Sequence, residues 1–326
     1  MIILGVCGGN GVFLHPSRKY LIGNIEPRSL FHTKGDMQWR SNFKTPISKD
    51  DKPFRGTHVD IIIGAPDCGH SSVFSYSRAK KLSEPSKNDS LKTYVDCVNA
   101  FKPHLFFMEN LEKGFERMLL HEFFPGYFYK TIIGSVSIYG NSQVTRKRAL
   151  LIGCKVEEHL EYFKNPKGVP LFTSGELLKG CKAEDITQGH IREDINNTIT
   201  LYGGFKDTLK NIRKGWLDNP DMYKWKVEGR NFTTAPGVYI NRANQFPKTA
   251  RKANRQFNHW GLTMSPRELA KIQGVPDTFK IYIGLDPLHS TYWINKGRTS
   301  VTKCPPYEMG AWIKRKCKKL WRTEFQ

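Results

Sequence analysis

The stretch Ile61-Ile62-Ile63-Gly64-Ala65-Pro66-Asp67-Cys68-Gly69-His70 runs from a strand-like apolar triplet into a polar turn that carries one cysteine. A cysteine just beyond the C-terminal end of a parallel strand sits where open α/β sheets hold their ligands. As a thiolate it would be a nucleophile for covalent catalysis. The same position also suits a small buried thiol, because free cysteine is among the most buried residue types, so location by itself leaves both readings open. Other groups of chemical interest fall at comparable places. Cys7-Gly8-Gly9 follows Ile2-Ile3-Leu4, Glu26 follows Leu21–Ile25, Glu109-Asn110 follows Leu105–Met108, and Arg146 and Arg148 precede Ala149–Ile152. Taken singly, each has an ordinary reading as a tight turn or a solvated charge.

Positioning such groups together requires a sheet. The apolar segments above, with Val59–Ile63, read as strands, and between the third and fourth lies Leu91, Tyr94, Val95, Val98, an i, i+3, i+4, i+7 stripe that predicts an amphipathic helix. Alternation of this kind implies a parallel sheet with helices on both faces. From about Glu157 to Gly261 the strand-helix rhythm is lost and Lys, Asn, Gly and Thr become dense among aromatics, which predicts a second, smaller domain. Ser265-Pro266-Arg267-Glu268 has the N-cap, first-position proline and third-position glutamate of a helix start, and Gly274 and Pro276 end it. The basic tail from Gly310 to Gln326 is helical in pattern, with Trp312, Ile313, Cys317, Leu320 and Trp321 as its apolar side.

Composition narrows the class. The 326 residues are 39% hydrophobic, enough for a real core. A net charge of +21, from 51 Lys and Arg against 30 Asp and Glu, is the footprint of a polyanion binder, with nucleic acid the leading partner. The seven cysteines are dispersed and contain no C-x-x-C pair, which argues against a disulfide framework and against a zinc site. No apolar run approaches the roughly 20 residues that span a bilayer, and no signal-peptide pattern opens the chain, so a soluble, cytoplasmic protein is expected.

Read in order, these segments resemble the cytosine-C5 DNA methyltransferase family. "GAPDCGHSS" keeps the first proline, Pro66, and the cysteine, Cys68, of the family's Pro-Pro-Cys-Gln; Glu109-Asn110-Leu111 matches its Glu-Asn-Val. "SQVTRKRALLIG" offers Arg146 and Arg148 for its Gln-x-Arg-x-Arg, and "SPRELAKIQGVPDTF", Ser265 to Phe279, is close to its Arg-Glu-x-x-x-Leu-Gln-Gly-Phe-Pro-Asp-x-Phe helix. At the cofactor end, Cys7-Gly8-Gly9 matches the glycine loop, Glu26 the ribose-binding acid, and Gly35-Asp36 the acidic position that meets the adenine amino group.

The resemblance implies an α/β fold: a Rossmann-like S-adenosylmethionine methyltransferase sheet with a smaller target-recognition domain. The expected division is 1–160 for catalysis and cofactor, 161–284 for target recognition including the 265–279 helix, and 285–326 returning to the catalytic domain. It implies that Cys68 adds to C6 of a flipped cytosine, that Glu109 holds N3 and the 4-amino group, and that Arg146 and Arg148 grip O2 and a phosphate. Leu4, Cys7, Gly8, Gly9, Glu26, Asp36, Pro66, Arg298 and Ser300 are the expected S-adenosylmethionine contacts. The partner is double-stranded DNA, in a restriction-modification or phage setting, and the enzyme is expected to be monomeric without an obligate protein partner, a membrane or a metal.

Several residues depart from the family pattern. Asp67 replaces the second proline, a carboxylate that raises the thiol pKa unless Arg146 or another cation compensates. Gln143 lies three before Arg146, where the family has two, which puts Val144 in the glutamine's place. Leu4 stands where the family has the phenylalanine that packs on adenine. In Gly297-Arg298-Thr299-Ser300-Val301, either Arg298 or Thr299 falls at the family's asparagine. Arg298 there would pair with the cofactor's own carboxylate or an internal acid, or would favour an anion on the donor, in which case a carboxylated S-adenosylmethionine and a 5-carboxymethylcytosine product form one alternative. A tRNA cytosine methyltransferase and a catalytically silent DNA-binding relative are the others.

Overall fold

The computed structural model describes residues 1–27, 39–67, 89–115, 120–178, 266–281, 301–302 and 304–325, together with four two-residue strands at 226–227, 230–231, 239–240 and 256–257. Seven strands form one sheet: β1 (Ile3–Val6), β2 (Leu21–Ile25), β3 (Ile47–Ser48), β4 (Ile61–Gly64), β5 (Leu105–Asn110), β6 (Phe128–Ser135) and β7 (Lys147–Cys154). Their order is β3-β2-β1-β4-β5-β7-β6. β1, β4 and β5 are buried at every position, as near-continuous apolar strands covered on both faces must be.

The pairing is parallel from β3 through β5, but β7 runs antiparallel to β5 and to β6. The expected parallel sheet thus carries one reversed strand, β7, and is mixed. The cause is β6, an edge strand absent from the sequence reading, which turns back into β7 and reverses it. Half-exposed Phe128 and Ile133 leave β6 without the alternation that marks a strand.

Strand order reverses between β1 and β4, so the crevice beyond their C-terminal ends is the topological switch point where such sheets bind ligands. The two strands approach closely there. A Cβ on Gly64 would lie 1.8 Å from the Val6 carbonyl oxygen, so only glycine permits the contact.

Helix α1 (Asp89–Phe101) lays the predicted stripe of Leu91, Tyr94, Val95 and Val98 on the sheet, in one core with Leu4, Ile62, Phe106, Met108 and Leu151. Full burial of such side chains contributes roughly 1.5–3 kcal/mol each. The Tyr94 hydroxyl stays satisfied by donating to the Phe107 carbonyl at 2.9 Å. None of Cys7, Cys97, Cys154, Cys304 and Cys317 is in a disulfide.

The chain divides into two compact units: Met1–Tyr139, Lys147–Lys167 and Cys304–Gln326 in the first, Gly140–Arg146 and Gly168–Lys303 in the second. The second holds helices α2 (Ser174–Leu178) and α3 (Pro266–Ile272) and two small ladders, Lys226–Val227 with Arg230–Asn231 and Tyr239–Ile240 with Gln256–Phe257. α2 opens with a reciprocal cap: Thr173 N–H donates to Glu176 Oε2 at 2.7 Å, and Glu176 N–H donates to Thr173 Oγ1 at 3.4 Å. α3 starts at Pro266 as its spacing predicts and stops at Gly274, whose φ of 70° is the left-handed conformation of a C-terminal cap.

Helix α4 (Tyr307–Glu324) belongs to the first unit and buries Met309, Trp312, Ile313, Cys317 and Leu320 against the turns at His15–Ser17, Val136–Tyr139 and Glu157–Phe163. Among the described residues no helix is long and apolar enough to cross a membrane.

Candidate active site

At the end of β1 the chain turns sharply through Cys7 and Gly9, with φ of 56° and 58°. A non-glycine residue held at positive φ stores strain that the surroundings must over-determine. Here they do so. Cys7 N–H donates to the Ile25 carbonyl at 2.7 Å, and its thiol donates to the Ser90 carbonyl at 3.2 Å. Gly8 N–H donates to Asn24 Oδ1 at 3.1 Å, and Gly9 N–H to Glu26 Oε2 at 3.0 Å. The end of β2 thus supplies a buried carboxylate, Glu26, beside the turn of β1 at the switch point. An acceptor-only group there suits the paired hydroxyls of a ribose, so the donor set fits S-adenosylmethionine at this turn. Leu4 is fully buried on β1, within the core.

β4 runs on through Ala65-Pro66-Asp67 toward Cys68. Asp67 N–H donates to Ser90 Oγ at 2.9 Å, and Asn110 Nδ2 reaches the Pro66 carbonyl at 3.4 Å. The two residues before Cys68 are thereby tied to the start of α1 and to the end of β5. Cys68 itself lies outside the described residues, as do Asp36, Arg298, Thr299 and Ser300. The carboxylated-donor reading rests on Arg298 and so has no structural footing here.

Glu109, beside Asn110, is buried at the end of β5, with Arg148 Nε 2.9 Å from its Oε1. The register explains the meeting. Glu109 faces Leu150, and Arg148 is its diagonal neighbour two residues away on the same face of β7. The distance makes an ion pair, although the N–H is not directed at that oxygen. Tyr139 also borders the carboxylate: burial raises its phenol above the usual range and the charge of Glu109 raises it further. Sequence reading missed Tyr139, Ser90 and Asn24, none of which belongs to a recognisable spacing.

In the second unit, Arg146 is 2% exposed and directs Nη1 and Nη2 to the Thr302 carbonyl at 3.3 and 3.4 Å. Gln143 is fully buried, donating from Nε2 to Gln273 Oε1 at 2.9 Å and to the Ile272 carbonyl at 3.2 Å. Val144 is exposed, so Gln143 is the residue that faces inward despite its shifted spacing. Asn141 Nδ2 caps the same Ile272 carbonyl at 3.2 Å. The "IQG" turn after α3 thus anchors the segment that carries Arg146.

A seven-stranded mixed sheet with a glycine turn and an acidic strand end at its switch point defines an α/β fold of the methyltransferase class. The chain belongs to the C-5 cytosine-specific DNA methylase family, whose model matches residues 37–288. It is 25% identical over 256 residues to the type II methyltransferase M.NgoPII of Neisseria gonorrhoeae, covering 72% of this chain and 71% of that one. It is 23% identical over 273 residues to M.Bsp6I, a type II methyltransferase of Bacillus sp. strain RFL6, covering 77% and 79%. Among solved structures, a protein described as a DNA modification methyltransferase encoded within an E. coli prophage superposes with a TM-score of 0.67 at 18% identity, covering 99% of both chains. That last likeness shows the fold.

Proposed function

We propose that the protein is a DNA (cytosine-5)-methyltransferase that moves the methyl group of S-adenosylmethionine to C5 of a flipped cytosine through a Cys68 adduct. The observation that supports this most is the bond from Asn110 to the Pro66 carbonyl, which ties the strand end bearing Glu109 to the loop leading into Cys68. A nucleophile and a group able to bind the Watson–Crick edge of cytosine are the two things the reaction needs.

In this reading the Cys68 thiolate adds to C6, and the electron pair of the C5–C6 double bond becomes available at C5. Glu109 holds N3 and the 4-amino group, sharing a proton with N3 as charge builds on the ring. S-adenosylmethionine supplies an electrophilic methyl on its sulfonium. After transfer, the C5 proton leaves to water or a nearby base, and the C–S bond breaks to return Cys68. Arg146 and Arg148 bind O2 and a flanking phosphate. Leu4, Cys7, Gly8, Gly9, Glu26, Asp36, Pro66, Arg298 and Ser300 contribute to the cofactor site, and residues 161–284 read the DNA. The +21 charge supports binding of the phosphate backbone, and C6 becomes accessible once the base leaves the stack.

The test is nucleoside mass spectrometry on plasmid DNA from cells expressing the chain. 5-Methylcytosine should appear and vanish with Cys68→Ser. Unmodified plasmid, methylated tRNA in its place, a carboxymethyl-sized gain, or modification that survives Cys68→Ser would each overturn the proposal.

A further inference from the structure

At the opposite end of the sheet from Glu109, three ligating side chains converge. His104 immediately precedes β5, Cys154 ends β7 and His159 lies in the Glu157–Phe163 turn; their Nε2, Sγ and Nδ1 atoms all lie within 4.8 Å of one another. His104 Nε2 is 2.8 Å from His159 Nδ1 and 3.8 Å from Cys154 Sγ. We propose that His104, Cys154 and His159 bind a divalent metal ion of the zinc type, with water as the fourth ligand.

Tetrahedral zinc, with about 2.0–2.1 Å to nitrogen and about 2.3 Å to sulfur, holds its ligand atoms roughly 3.3–3.6 Å apart. The observed separations bracket that range, and rotation of one ring by about half an ångström opens the two nitrogens to it. The thiol and the second imidazole both meet His104 Nε2, contacts that a shared ion would replace. The surroundings add a further observation. Glu324 Oε2 lies 3.8 Å from the outer nitrogen of His159, and Tyr162 donates its hydroxyl to the other carboxylate oxygen. A carboxylate on that side of the ring would, once the ion draws the imidazole in, accept from the outer nitrogen and orient Nδ1 toward the cluster, as acidic partners of ligating histidines do.

The frame is rigid. His104 N–H donates to the Asp60 carbonyl at 2.8 Å, and Lys155 N–H donates to the His104 carbonyl at 3.2 Å. Phe325 and Trp321 close over His104 with ring centroids at 4.9 and 6.0 Å, giving an apolar cover. On binding, the Cys154 thiol loses its proton to solvent, the imidazole–imidazole hydrogen bond is given up, and the proton it held moves to the outer nitrogen of His104. The ion would fasten the end of α4 and the Glu157–Phe163 turn to β5 and β7.

The experiment uses the full chain after treatment with a chelator, titrated with cobalt(II) as an optical probe and with zinc. One equivalent of cobalt should bind with ligand-field absorption and a thiolate-to-cobalt charge-transfer band, and zinc should displace it and raise the thermal midpoint. Cys154→Ser should lose the charge-transfer band and His159→Ala the binding. Glu324→Gln, which keeps every ligand and tests for misfolding of the others, should weaken affinity about 10–100-fold. Absence of cobalt absorption in the wild-type chain, or an unchanged charge-transfer band in Cys154→Ser, overturns the assignment. None of these readouts depends on methyl transfer.

Discussion

Gln273 and Arg146 share one acceptor: each donates to the carbonyl oxygen of Thr302, at 3.4 and 3.3 Å. Gln273 also accepts from Gln143, so a single buried amide links the two ends of the segment 143–146 to the turn after α3. A helix whose sequence marks it only as a family motif thereby fixes the place of a guanidinium.

Replacing Gln273 with leucine removes its bonds to Gln143 and to the carbonyls of Val301 and Thr302. At about 0.5–1.5 kcal/mol per bond, the expected loss is roughly 1.5–4.5 kcal/mol in a urea melt. Arg146 would lose a neighbour that shares its anchor, so kcat should fall more than stability alone explains. A Gln273→Leu enzyme with full kcat at a temperature where it is folded would refute that link.

Arg148→Met leaves Glu109 buried without its cation, and removal of one partner of a buried pair costs about 3–5 kcal/mol. Adding Glu109→Gln should recover much of that loss. A double-mutant cycle measures the coupling, and additive single effects would mean that the pair contributes nothing.

Gly64→Ala places a methyl 1.8 Å from the Val6 carbonyl and 2.7 Å from Tyr94 Cε2. Backbone on one side and a fully buried ring on the other leave no flexible neighbour to yield. Destabilisation at the upper end of about 1–3 kcal/mol, or beyond it, is expected in thermal melts, with cofactor binding lost as β1 and β4 separate.

Burial, and then the charge of Arg18, lower the pKa of His15 from the ordinary 6.5 to about 4. The unfolded chain therefore binds the extra proton first as pH falls. The stability contributed by neutral His15 is full above about 6.5 and is lost as pH drops toward about 4. His15→Gln should flatten the stability profile across this window relative to wild type. Parallel profiles would show that His15 titrates normally.

The strands that hold the site could be read because β1, β4 and the first four residues of β5 are uncharged runs rich in apolar side chains, each leading into a turn or a polar pair. β6 could not, since an edge strand with both faces partly wet has no periodic signal, and without it the reversal of β7 was invisible. Gln143 was out of step by one residue, but burial depends on where the side chain points and not on the count between motifs. The cluster of His104, Cys154 and His159 has no spacing to recognise. It exists because the antiparallel register sets Leu105 opposite Cys154, a long-range fact that local patterning does not carry.

Helix α4 packs on the turn at His15–Ser17, where Tyr307 meets His15 with ring centroids 6.0 Å apart. During synthesis at ~5–20 residues per second, that turn is made on the order of 15–60 s before its covering helix. The strands on either side of the Cys7–Gly9 turn must wait that long with an apolar flank uncovered, so chaperone occupancy of the nascent chain, more than the final stability, should set the yield of folded protein.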